Sequence, residues 1–132
     1  MKTGRYLTIK KAFAMYLANK KRLAEFPTPG VSSVDYSGAS HSDSAENTQE
    51  KVVINYLAKK EELEKLIRLV DETILWFIYE GYGRERYIKL RMIEGNSPIW
   101  TCNKIGVDDR TGRRWQRDIY EKAEMIAEGL GV

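Results

Sequence analysis

Apolar residues fall into separate stretches along this chain, and each stretch has the spacing of a helix. From about Thr8 to Phe26, Phe13, Tyr16, Leu17, Leu23 and Ala24 recur at three- and four-residue steps, the signature of one helical face. Pro27 and Pro29 stop this helix, because proline has no amide hydrogen to donate and its ring crowds the preceding turn. A second stretch runs from Thr48, a suitable N-cap, to Glu80. It holds a heptad register. Val53, Lys60, Ile67 and Ile74 share one core position, and Tyr56, Leu63, Val70 and Phe77 share the other. Lys60 alone interrupts the seam. Leu66, Leu75, Trp76 and Ile78 widen the stripe toward its C-terminal end, which predicts contact with more than one helix there. Such a seam fits packing on the protein's own terminal helices, and it equally fits a homodimer whose register Lys60 restricts.

Gly81 and Gly83 break the pattern, and three shorter helices are predicted beyond them. The first spans about Arg84 to Glu94, with Tyr87, Ile88, Leu90 and Ile93 facing inward and Gly95 ending it. Ser97 as N-cap and Pro98 in the first turn open the next, which runs to about Lys104. Gly106 breaks it, Val107 plugs the turn, and Asp108 or Asp109 caps a third helix reaching about Glu128. Between the first two stretches, residues 27–49 are rich in Ser, Gly, Asp and Asn and contain no Lys or Arg. That composition buries too little apolar surface to offset its ordering entropy, so a flexible polar linker is expected. The fold class is therefore all-α, in four units. These are a basic N-terminal helix (1–26), the linker (27–49), a long amphipathic helix suited to dimerisation (50–83) and a helix-turn-helix unit (84–132).

Composition narrows the function. With 132 residues, 42% of them hydrophobic, the chain suits one domain or a small domain with an appendage. No apolar run approaches the roughly 20 residues that span a bilayer, and the charged N-terminal stretch lacks the core of a signal peptide. The expected location is the cytoplasm, with no membrane partner. Cys102 is the single cysteine, so an internal disulfide and a cysteine-rich zinc site are excluded. His41, the single histidine, sits in the polar segment and is poorly placed to serve a nucleophile. No glycine-rich phosphate loop is present. These features predict a protein that is not an enzyme and needs no cofactor or metal.

Charge distribution points to a polyanion. Seven Lys or Arg and no acid fall within residues 1–22, and residues 84–122 are also net basic, whereas residues 46–80 are net acidic. From Arg110 to Arg117 four of the eight residues are arginine and none is acidic. At about 100° per residue, Arg113, Arg114 and Arg117 lie within about 60° of Arg110, while Gly112, Trp115, Ile119, Ala123 and Ile126 fall on the opposite side. The arginines would form one ridge about 10 Å long, a fit to a DNA major groove about 12 Å wide. Arginine's planar fork also matches guanine edges and phosphates. Upstream, Cys102 and Gly112 supply the small residues that two closely crossing helices need, and Gly106 supplies the left-handed turn. Ile105 and Val107 bracket that turn and point inward.

The stretches "IKLRMIEG" (88–95) and "IGVDDRTGRRW" (105–115), and the ending "AEGLG" (127–131), resemble the C-terminal region of the RinA-type and ArpU-type phage regulators. The upstream order is similar too: a short helix, a proline-containing break, a polar linker, then a long helix containing "VVINYL" (52–57). The resemblance implies a helix-turn-helix like that of sigma-factor region 4, and activation of late phage genes for packaging, morphogenesis and lysis in a bacterial host. Cys102 stands where such units usually carry alanine, and Thr101 where they often carry an apolar residue. The candidate DNA-contact residues are Arg113, Arg114 and Arg117 first, then Asp109, Arg110 and Thr111 at the start of the recognition helix. Asp109 would accept from a cytosine amino group or cap the helix, and Thr111 would bond a phosphate or pack. Lys104 and Lys89 would flank the groove as phosphate contacts. The expected partner is double-stranded DNA, with RNA polymerase and a second copy of the chain as further candidates. The alternatives are a small terminase subunit and a sigma-like protein-interaction module.

Overall fold

In a computed structural model, the backbone is described for residues 3–26 and 43–132, and side chains for residues 4–26 and 51–132. Every element among these residues is helical. In chain order they are α1 (Thr3–Ala14), α2 (Tyr16–Ala24), α3 (Asp43–Glu80), α4 (Arg84–Tyr87) continuing as a π-helical segment (Ile88–Ile93), α5 (Pro98–Ile105) and α6 (Asp109–Leu130). No helix among the described residues is long and apolar enough to cross a membrane.

The 38-residue α3 is the spine. Leu63, Ile67, Leu69, Val70, Thr73 and Phe77 are buried along one side of it, against α1, α2, α4 and α6. Each such aliphatic or aromatic side chain stabilises the fold by about 1.5–3 kcal/mol through area removed from water. Thr73 sits in this core with its hydroxyl donating to the Leu69 carbonyl at 2.7 Å, so its polar atom is paired there. Of the two arrangements open to the heptad seam, its half from Leu63 to Phe77 takes the intramolecular one. Toward the N-terminal end the seam opens to solvent: Val53 is exposed and Tyr56 is half-buried, its ring 5.0 Å from Phe26.

Several expectations need correction here. Leu75, Trp76 and Ile78 do not widen the buried stripe; they are exposed, and Leu69 and Thr73 occupy the inner face instead. The heptad allows this, since a helix of 3.6 residues per turn drifts across a seven-residue repeat until neighbouring positions face inward. The helix begins at Asp43, which places Thr48 inside it rather than at its cap and makes the last part of the expected linker helical. The expected flexibility of the rest of the linker, and His41 with it, lies outside the described residues.

The N-terminal basic helix is not an appendage. It starts at Thr3 and bends at Met15, dividing into α1 and α2. Ile9, Ala12, Phe13, Tyr16 and Asn19 are buried, whereas Leu17 and Ala24 are exposed, because the bend re-aims the inner face. α1 packs on α3, the π segment and α6, and α2 packs on α3. The Tyr16 hydroxyl donates to the Asp71 carboxylate. Burial, reinforced by that carboxylate, pushes the Tyr16 pKa up to about 12.

The π segment also shifts an inner face. The Glu94 amide donates to the Lys89 carbonyl five residues back, at 3.0 Å, rather than to the carbonyl four back. Tyr87 and Ile88 are buried as expected, but beyond them Met92 takes the inner face, and Leu90 and Ile93, expected to face inward, are only half-buried.

Candidate nucleic-acid interface

α5 begins as its sequence dictates. Ser97 Oγ accepts from the Trp100 amide at 3.2 Å, and Pro98 occupies the first helical position. Thr101 is fully buried, and its hydroxyl donates to the Ser97 carbonyl at 2.8 Å. The helix ends on Gly106 at φ +82°, a conformation that favours glycine, and the Val107 amide closes back on the Cys102 carbonyl. Asp108 then caps α6, its Oδ1 accepting from the Thr111 amide at 2.7 Å. Three residues thus join the two helices. Their crossing is tight. A methyl group placed on Gly112 would lie 2.3 Å from Cys102 Sγ and 3.4 Å from Tyr87 Cε2.

The bonds from Thr111, followed by the charges of Arg110 and Arg114, hold the Asp108 carboxyl below the usual carboxylate range. A folded-state pKa below the unfolded value means stabilisation that is present above about pH 4 and is lost as pH falls through the lowered value. Asn also caps well and does not titrate. Asp108→Asn should therefore lose less stability than the parent between about pH 4 and pH 2. Thermal melts at the two pH values check this, and equal acid sensitivity would refute the cap's role.

Along α6, Gly112, Ile119, Tyr120, Ala123 and Ala127 are buried. Trp115, half-buried, meets the Tyr87 ring edge-on at 6.5 Å. Arg110, Arg113, Arg114 and Arg117 are all exposed on the other side. The ridge is not wholly unopposed, however: Arg113 is paired with Asp109 at 2.7 Å, one helical turn back. Asp109 is thus engaged by an arginine, and capping falls to Asp108. Among the described residues no carboxylate lies within 4 Å of Arg110, Arg114 or Arg117. Thr111 is half-buried and gives its amide to the cap. Lys104 in the last turn of α5 and Lys89 on the π segment are exposed but stand on other elements than the ridge.

Three participants carry no clear mark in the sequence. Tyr120 is buried because Tyr6 of α1 lies against it, the ring centroids 5.0 Å apart. A groove of about 570 Å³ separates α1 from α6 there, lined by Tyr6, Arg113, Gln116, Arg117, Tyr120, Glu121 and Glu124. Arg84 lies within 5.8–5.9 Å of the Phe77, Tyr82 and Trp115 ring centres and 3.5 Å from Asp118, so one cation ties α3, α4 and α6 together. Tyr6 and Tyr120 are each the single tyrosine of their helix, so no spacing pattern marks either of the first two. The third has a local acid, Glu80, four residues back, but its approach to a ring 31 residues away leaves no local pattern.

Among the described residues, no group of three His, Cys, Asp or Glu side chains is placed to hold a metal ion. Comparison of the chain with family models, with curated proteins and with solved structures finds no match.

Proposed function

We propose that this protein is a sequence-specific, double-stranded DNA-binding transcription regulator of phage origin, acting in the bacterial cytoplasm. In this reading α5, the turn and α6 form a helix-turn-helix like that of sigma-factor region 4, with α6 as the recognition helix. The observation that carries it is the exposed line of Arg110, Arg114 and Arg117 on the side of α6 opposite the Cys102–Gly112 crossing. A surface helix that serves only solubility mixes charges along its face. Here the first two turns present cations, and of the acids beside them Asp108 caps the helix while Asp109 holds Arg113 in place. Arg110 and Arg114 are assigned to base edges, and Arg113, Arg117, Lys104 and Lys89 to phosphates. Late-gene activation follows from the resemblance of "IKLRMIEG" and "IGVDDRTGRRW" to the RinA-type and ArpU-type regulators.

The test is duplex binding across a salt series, first with a random-sequence pool and then with sites selected from it. A steep fall in affinity with salt, and enrichment of a common site, are expected. Failure to bind any duplex at low salt overturns the reading.

A second reading, a protein-interaction module, is favoured by the outward face of α3. Val53, Leu57, Leu75, Ile78 and Tyr79 are exposed there, and Tyr79 is 87% accessible. RNA polymerase, a second copy of the chain, or the ring of a small terminase subunit would cover such a face. Mass in solution separates these: a dimer fits paired DNA half-sites, a closed ring of many subunits fits a terminase, and a monomer leaves the polymerase.

A further inference from the structure

The docking of α1 on α6 brings a second element to the arginine ridge. Tyr6 of α1 lines the same groove as Arg113, Gln116 and Arg117 of α6. Its ring is held against Tyr120, so the side chain is fixed in place. The groove has a polarity. Arginines line one end, and Glu121 and Glu124 line the other, further along α6. A polyanion can enter at the arginine end and is repelled from the acidic end, so a nucleic-acid backbone would cross the groove rather than run along it.

We propose that this groove seats one phosphate of the DNA backbone beside the major groove, with the Tyr6 hydroxyl donating to it and Arg113 and Arg117 supplying the charge. The inference rests on the DNA-binding reading and adds α1 to the contact surface. Tyrosine and arginine are ordinary phosphate partners, and such contacts fix the orientation of a recognition helix without reading sequence. A reader anchored on both sides of its recognition helix enters the groove at one angle. The placement also sets α1, the first part of the acid-free basic N-terminal stretch, beside the DNA face instead of trailing from the protein.

The test uses the full chain and a 30-base-pair duplex of mixed sequence, with binding followed by fluorescence anisotropy. Tyr6→Phe keeps the ring on Tyr120 and removes only the hydroxyl. Affinity is expected to fall about tenfold, equally for mixed-sequence and selected duplexes, the value of one hydrogen bond to a charged acceptor. Tyr6→Glu places an anion at the same point and should weaken binding further, with circular dichroism confirming that both variants fold. A duplex with one phosphate replaced by neutral methylphosphonate, scanned along the site, should show one position at which Tyr6→Phe no longer matters. If the parent binds and both variants bind as tightly, the phosphate seat is overturned while DNA binding stands. If the parent binds no duplex, both readings fall together.

Discussion

Gly112→Leu is expected to destabilise the protein by about 3 kcal/mol, a large share of the roughly 5–15 kcal/mol that holds a domain of this kind together. Even a methyl group at Gly112 meets Cys102 Sγ at 2.3 Å, and Cys102 is itself buried. The milder Gly112→Ala carries two opposing effects. Overpacking costs about 1–3 kcal/mol, while exchanging glycine for alanine inside a helix returns about 1 kcal/mol. In the parent the clash dominates. In a Cys102→Ala background the sulfur is gone, and the same Gly112→Ala change should become neutral or stabilising. Denaturant melts of the four proteins in this cycle check the coupling. If Gly112→Ala costs the same with and without the sulfur, the two helices do not cross closely enough for Cys102 to exclude a side chain there.

The second large effect concerns Arg110 and Arg114. Reversing both to glutamate is expected to lower affinity for a selected duplex about a thousandfold or more, since removing an arginine from a base edge costs about 1–3 kcal/mol and each new anion faces phosphate. Replacing them singly with alanine should each flatten the salt dependence by about one counterion and relax discrimination at one base position. The fold should persist, since neither side chain is buried or within 4 Å of a carboxylate among the described residues, although the reversal also removes the cations that favour the Asp108 cap. Anisotropy titrations at several salt concentrations, paired with thermal melts, measure both quantities. Unchanged affinity in the double reversal would remove α6 from the DNA interface.

What the sequence disclosed follows the range of the interactions involved. The start of α5 at Ser97 and Pro98, the stop at Gly106 and the Cys102–Gly112 contact were legible because each depends on one residue type with few substitutes. The direction in which α3 spends its seam was not legible. Leu63, Ile67 and Val70 present the same spacing to a sister helix as to α1 and α2, and only tertiary packing chooses between them. The docking of α1 was hidden for the same reason: Tyr6 and Tyr120 are more than a hundred residues apart, and neither is unusual in its own helix. Within the candidate site, the exposure of the arginines was legible from the helical period. The Asp109–Arg113 pair has a local signal too, an acid and a base four residues apart, but by sequence Asp109 fits a cap equally well.

The π segment from Ile88 to Ile93 works as a spacer inserted in a shaft. Each residue added to or removed from an α-helix turns everything beyond it by about 100°. Here one surplus residue is absorbed without breaking the helix, and α5 and α6 leave at the angle that the surplus sets. Deleting one residue of the segment, such as Leu90, would close it to regular helical geometry and change where α5 and α6 leave it. Substitutions at the exposed Lys89 should be tolerated by the fold where a deletion beside it is not, so for folding this segment has to keep its length more strictly than the identity of its outward residues.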